Sequence, residues 1–193
     1  MIKLNVLPLL LLLIVSCETD DMQTVVNFTE LTLQEEFDTD GAPNSAVWGF
    51  DIGTGENGWG NSELQYYTDR AENVTIQNGV LLITAQREDF EGSAYTSARL
   101  LTKNKFDQRY GRFEARIRLP YGQGIWPAFW MLGADIDNNP WPGAGEIDIM
   151  EYRGQQPTVL VGSVHGPGYR ERLYLKSIPC RMTALIPAST FLV

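Results

Sequence analysis

The chain has 193 residues, 44% of them apolar and 20% charged, which allows one domain with a sizeable core and excludes a second large one. A formal net charge of −9 argues against nucleic acid and anionic membrane surfaces as partners, since both are held by basic patches, and it suits a neutral ligand. The two cysteines, Cys17 and Cys180, lie far apart and make no disulfide framework.

In chain order, Lys3 precedes an apolar run over residues 6–15. A bilayer-spanning helix needs about 20 residues, so residues 1–16 read as a signal peptide rather than a membrane anchor. The run ends in Ile14-Val15-Ser16-Cys17, which resembles a bacterial lipobox: small residues admit the peptidase, and the Cys17 thiol receives the lipid. Residues 17–29 then form a polar tether. The expected protein is an exported cell-envelope lipoprotein, at the outer membrane or cell surface, or a secreted one if Cys17 is incidental. It would be a monomer that meets the membrane only through its anchor. Sequons at Asn27 and Asn73 carry no weight in such a protein.

The remainder reads as all-β. Asn78-Gly79 lies between apolar runs over residues 74–76 and 80–85 and predicts a hairpin, because its turn needs positive φ at both central residues. Residues 110–119 alternate, with Phe113, Ala115, Ile117 and Leu119 on one side and Arg112, Glu114, Arg116 and Arg118 on the other. That pattern predicts a half-buried antiparallel strand. Residues 158–164 form a further β-rich run, and no stretch keeps a 3.6-residue period. Short strands punctuated by Gly and Pro predict a sandwich or barrel.

The chemically informative segment is Gly145-Glu146-Ile147-Asp148-Ile149-Met150-Glu151-Tyr152. On a regular strand Glu146 and Asp148 share a face, while Glu151 has the wrong parity. One extra residue near Ile149-Met150, a β-bulge, would bring all three carboxylates to a single face. Like charges so gathered raise each other's pKa, a cost to a structural strand and a resource to a cleft enzyme. Retaining glycosidases use two carboxyl groups about 5–5.5 Å apart, one nucleophile and one acid/base. The alternative is a solvated acidic edge.

With Gly124-Ile-Trp-Pro-Ala-Phe-Trp-Met-Leu132 before it, this segment resembles glycoside hydrolase family 16, in its bacterial laminarinase (endo-β-1,3-glucanase) branch. Trp59-Gly-Asn-Ser-Glu-Leu-Gln-Tyr-Tyr-Thr68, Tyr95-Thr-Ser-Ala-Arg-Leu100, Tyr110-Gly-Arg-Phe-Glu-Ala-Arg116 and Val164-His-Gly-Pro-Gly168 extend the likeness over residues 30–169. The resemblance implies a jelly-roll β-sandwich of two antiparallel sheets, of the concanavalin A-like type, and double displacement with retention. Glu146 would be the nucleophile, Asp148 its assistant and Glu151 the acid/base. The six-residue acidic segment containing Met resembles the β-1,3-glucanases; the five-residue form belongs to the lichenase and xyloglucan branches. The substrate would be a laminarin-like β-glucan, with a mixed-linkage glucan or a galactan as alternatives on the same fold. A non-catalytic glucan-binding remnant is the alternative of another class. No cofactor or catalytic metal is required, and a structural calcium stays open.

Trp126 and Trp130 are evenly spaced, so their indoles could stack on pyranose rings from one face, or pack in the core. Trp141 either rims the cleft or anchors its loop. The resemblance puts His165, Arg99 and Asn57 among the substrate-binding residues, and Glu63 could serve either function or core.

The likeness ends at Tyr169, where the family continues through further strands. Arg170, Arg172, Lys176 and Arg181 against a lone Glu171 then change the charge character. Read in a shifted frame with free codon choice, residues from Lys176 onward can encode a string resembling the family's continuation. Residues 170–193 are therefore expected to be an aberrant, frameshifted tail, and the chain to be a fragment without activity of its own. The lipobox reading is checked by palmitate labelling in the native host: label should enter the parent and not Cys17→Ala, and equal label in both overturns it.

Overall fold

The computed structural model describes residues 28–175, with side chains through residue 169. The signal segment, Cys17, Asn27, Cys180 and residues from 176 on lie outside the described residues. The chain divides into two units at Glu30/Leu31, and every strand belongs to the second.

Its regular structure is β1 (Gly49–Asp51), β2 (Gln65–Tyr67), β3 (Val74–Gln77), β4 (Val80–Ile83), β5 (Gln86–Phe90), β6 (Ser93–Ser97), β7 (Arg99–Leu101), β8 (Ala128–Leu132), β9 (Glu146–Tyr152), β10 (Leu160–Gly166) and β11 (Tyr169–Leu175). The largest ladder has the order β11-β10-β9-β8 and is antiparallel throughout. A second has the order β2-β6-β5, in which β2 and β6 run parallel. The pairs β1-β7 and β3-β4 are antiparallel.

The hairpin expected at Asn78-Gly79 joins β3 to β4, with φ of 54° and 73° at its two turn residues. This doubly positive combination matches the twist of paired strands. Glu91-Gly92 turns β5 into β6 with φ of 47° and 81°, so Glu91 accepts a conformation usually left to Asn or Gly.

Two expectations change. Residues 110–119 keep their alternation in burial, with Leu119 only 7% exposed and the arginines outside. They form no ladder among the described residues, so they run as an extended segment rather than a strand. Apolar alternation fixes which side faces the core; a strand additionally needs a backbone partner, which sequence period does not specify. At the other end, the boundary expected at Tyr169 falls inside the sheet. After Pro167-Gly168 (Gly168 φ 79°), β11 pairs with β10 from Gly166↔Tyr169 to Leu160↔Leu175. Pro followed by a positive-φ Gly is a favoured reversal.

The core beside the main sheet is Leu119, Met150, Tyr152 and Leu160, with Ile117 and Phe129 packed on it. Val74 and Ile76 of β3 are buried elsewhere. Next to them Asn73 is fully buried, which removes it as a glycosylation site and gives it a structural task. Its amide donates to Thr84 O (3.1 Å) and Thr96 Oγ1 (2.9 Å), and its oxygen accepts from Thr68 Oγ1 (2.5 Å) and Arg70 Nη2 (3.2 Å). A buried polar group left without its partner costs about 1–3 kcal/mol. Asn73→Ala strands several at once, so urea unfolding should show a loss of about 3 kcal/mol. A loss under about 1 kcal/mol would mean that water replaces the amide.

Candidate active site

The expected bulge is present at Ile149-Met150. On the β8 side Phe129 pairs with Met150 and Trp130 with Asp148, so Ile149 has no opposite number. On the β10 side Val161 pairs with Glu151 and Ser163 with Asp148. Gly162 stands against the bulge, where an added Cβ would come within 3.3 Å of Asp148 O. The extra residue turns Glu146, Asp148 and Glu151 to one face and Met150 and Tyr152 to the core.

Around the carboxylates, β10 contributes His165 and Ser163, both buried. His165 Nε2 lies 3.1 Å from Asp148 Oδ2 and 3.7 Å from Glu146 Oε1, while its Nδ1 is buried with no hydrogen-bond partner among the described residues. A proton on Nε2 is the one Asp148 can accept at this distance. Glu151 receives Trp126 Nε1–H on Oε1 (3.0 Å) and Ser163 Oγ–H on Oε2 (3.1 Å). Burial pushes the Glu146 carboxyl above its ordinary range, and the charge of Glu151 adds to this. His165, a hydrogen bond from Trp141 and the charge of Arg99 oppose the rise.

Beside the carboxylates, Arg99 lies between two indole rings. The Arg99 guanidinium lies 4.6 Å from the Trp59 ring centre and 4.8 Å from that of Trp130, and its Nε binds Asp51 Oδ2 at 3.0 Å. Trp59 in turn meets Tyr67 at 5.8 Å, and Tyr67 OH donates to Glu63 Oε2 at 2.7 Å. Burial, with this Glu63 contact behind it, pushes the Tyr67 phenol well up. Glu63 also accepts from Gln65 (2.5 Å) and Asn61 (3.2 Å), so it supports this packing.

The structure thus gathers Glu146, Asp148, Glu151, His165, Arg99, Trp126 and Trp130. Asn57 is different: it is exposed at the start of the left-handed turn Gly58–Ser62, and its side chain makes no hydrogen bond among the described residues. Trp126 also differs from a free sugar platform. Its edge is bonded to Glu151, and Arg153 covers one ring face at 5.0 Å. Trp141 is a site residue rather than only a loop anchor, since it bonds Glu146 and lies 6.0 Å from the His165 ring. Ser163 is a site residue that the sequence reading passes over, although its position two residues before His165 on a β-rich run puts it on the same face. Glu146, Asp148 and His165 offer donor atoms within 4.8 Å of one another, a spacing that could hold a divalent ion. The unpartnered Nδ1 lacks the acceptor that normally orients a metal-binding imidazole.

The family model for glycosyl hydrolases family 16 matches residues 61–184, which reaches past Tyr169. The chain is 50% identical over 147 residues to the beta-glucanase of Rhodothermus marinus, covering 75% of this chain and 51% of that protein. To the glucan endo-1,3-beta-glucosidase of Cryptopygus antarcticus it is 46% identical over 124 residues, covering 61% and 44%. It thus spans about half the length of these curated relatives. Among solved structures, the Rhodothermus marinus laminarinase superposes with a TM-score of 0.72 at 46% identity, covering 77% of this chain and 62% of that one. The laminarinase catalytic domain of Thermotoga petrophila gives 0.74 at 42% identity, covering 83% and 67%. The fold is that of their jelly-roll β-sandwich.

The raised Glu146 pKa has a consequence for stability. The fold prefers this carboxyl protonated, so the stabilisation it brings is complete below the unfolded value of 4.5 and is lost as pH rises through the higher folded value. Glu146→Gln mimics the protonated form at every pH. Its Tm should match the parent's below pH 4.5 and exceed it increasingly above. A Tm difference independent of pH contradicts this account.

Proposed function

The chain belongs to glycosyl hydrolases family 16, and on that premise we propose that it carries the catalytic face of a retaining endo-glycosidase acting on laminarin-like β-1,3-glucan. The observation that carries the reading is the bulged strand, which aims Glu146, Asp148 and Glu151 at one cleft beside His165. In the first step the Glu151 O–H proton passes to the glycosidic oxygen as its bond to the anomeric carbon breaks, and a Glu146 oxygen bonds to that carbon. In the second, water adds to the anomeric carbon, its proton returns to Glu151, and Glu146 leaves. Asp148, holding the His165 Nε2–H, limits repulsion beside Glu146 as the nucleophile ionises. Indole faces at Trp130 and Trp141 suit the apolar faces of glucose rings. Similarity to a beta-glucanase and a glucan endo-1,3-beta-glucosidase supports the linkage.

Export, with a lipid anchor at Cys17, belongs to the same proposal and is supported by the apolar run over residues 6–15 and the polar tether after it. The reaction itself asks for no cofactor.

The test uses laminarin with a frame-repaired full-length protein as the parent and its Glu146→Gln and Glu151→Gln variants. Each variant should lose nearly all hydrolysis, and NMR of the parent's first products should show the β-anomer. Activity within about tenfold of the parent in either variant, equivalent to about 1.4 kcal/mol in barrier, overturns the roles. Early α-anomer overturns retention.

A further inference from the structure

Both oxygens of Glu151 are held, each by one neutral donor and each from a different side of β9. We propose that Ser163, acting with Trp126, is a positioning residue that fixes the Glu151 carboxyl group so that its proton can leave only toward the cleft. This rests on the hydrolase reading above.

Glutamate has three side-chain torsions, and the hydrogen bonds must hold them against rotamer entropy. Here the donors are themselves fixed. Ser163 is 3% exposed on β10 and pairs across the ladder with Asp148, yet its hydroxyl reaches diagonally over the bulge to Glu151. Trp126 precedes β8, and its neighbours are tied to the end of β9: Gly154 N donates to Ile125 O (2.9 Å), and Tyr152 N donates to Pro127 O (3.1 Å). Arg153 lies over its ring. Gly154 has no room for a side chain there, since a Cβ would meet Gly122 O at 1.6 Å. The indole is thus anchored although 40% of Trp126 is exposed.

The chemistry of the two donors differs in a useful way. An indole N–H can only donate, so the lone pair of Oε1 that it occupies is closed to a proton. A serine hydroxyl can donate or accept, so Ser163 can follow Glu151 as it loses and regains its proton without either being left unsatisfied. The proton that Glu151 passes to the leaving oxygen then sits on a lone pair facing the cleft. A buried serine serving only the fold would have no such dependence on leaving-group chemistry.

The experiment compares the same frame-repaired parent with its Ser163→Ala, Ser163→Thr and Trp126→Phe variants on two substrates. A laminari-oligosaccharide has a poor leaving group and needs the proton. A 2,4-dinitrophenyl β-laminaribioside does not, and its initial burst reports the first step alone. Positioning predicts that Ser163→Ala lowers kcat on the oligosaccharide by at least about tenfold, with KM little changed and the dinitrophenyl burst rate within about twofold. Ser163→Thr should recover most of the loss. Equal losses on both substrates, or none on either, overturn the proposal.

A second readout does not need turnover. The Trp126 indole N–H resonance, identified by its absence in Trp126→Phe, should lie downfield in the parent and move on Glu151→Gln. A resonance that stays in place overturns the grip itself. A parent inert toward both substrates overturns the hydrolase reading and the acid-positioning role with it, while the indole shift still decides whether Glu151 is held.

Discussion

One inserted residue in β9 governs the rest of the site. A strand alternates its faces with period two, so without the bulge at Ile149-Met150 Glu151 would share the core side with Ile147, and Met150 and Tyr152 would turn to the cleft. The insertion satisfies two demands at once: three carboxylates share the face opposite the core, and Met150 and Tyr152 reach Leu119 and Leu160. The core therefore enforces the register that the chemistry uses. Slipping the strand by one residue would bury a charge and expose Tyr152, which is 1% exposed as it stands.

The carboxylates are treated unequally by their surroundings. Burial favours the protonated form of Glu146, against which His165, Trp141 and Arg99 act together. Among the described residues, Glu151 is met in direct hydrogen bonds by the neutral donors Trp126 and Ser163. The two acids are linked, since the charge of Glu151 itself pushes the Glu146 carboxyl up. Trp141 and Arg99 reach Glu146 from separate parts of the chain, so its ionisation depends on how the fold brings distant segments together.

Much of this was legible in the sequence for local reasons. Asn78-Gly79 encodes its own turn, and the parity conflict in Glu146-Ile147-Asp148-Ile149-Met150-Glu151 can be resolved only by an extra residue if all three acids are to share a face. What escaped depends on contacts distant in the chain. Trp141 reaches Glu146 because the turns at Asp135 and Pro140 fold its loop back, through Asn139 N to Asp135 O (2.9 Å) and Gly143 N to Pro140 O (2.7 Å). The role of Glu63 appears only when Tyr67 packs against Trp59. Residues 110–119 show the converse failure: their side-chain period is correct, yet a ladder depends on a second segment that no local pattern names.

The same placement of charge bears on which polymers suit the cleft. Its carboxylates outnumber the free cationic groups around them, because Arg99 is already matched to Asp51 and held between two rings. His165 is matched to Asp148. Arg153 is exposed over Trp126 and stands outside this set. A polyanionic chain would meet negative potential with little to offset it, whereas a neutral glycan loses nothing on approach and can use the aromatic faces. A sulfate or carboxylate brought near Glu146 would push its carboxyl up further, as the charge of Glu151 already does. The electrostatics of this face thus suit an uncharged chain better than a polyanion.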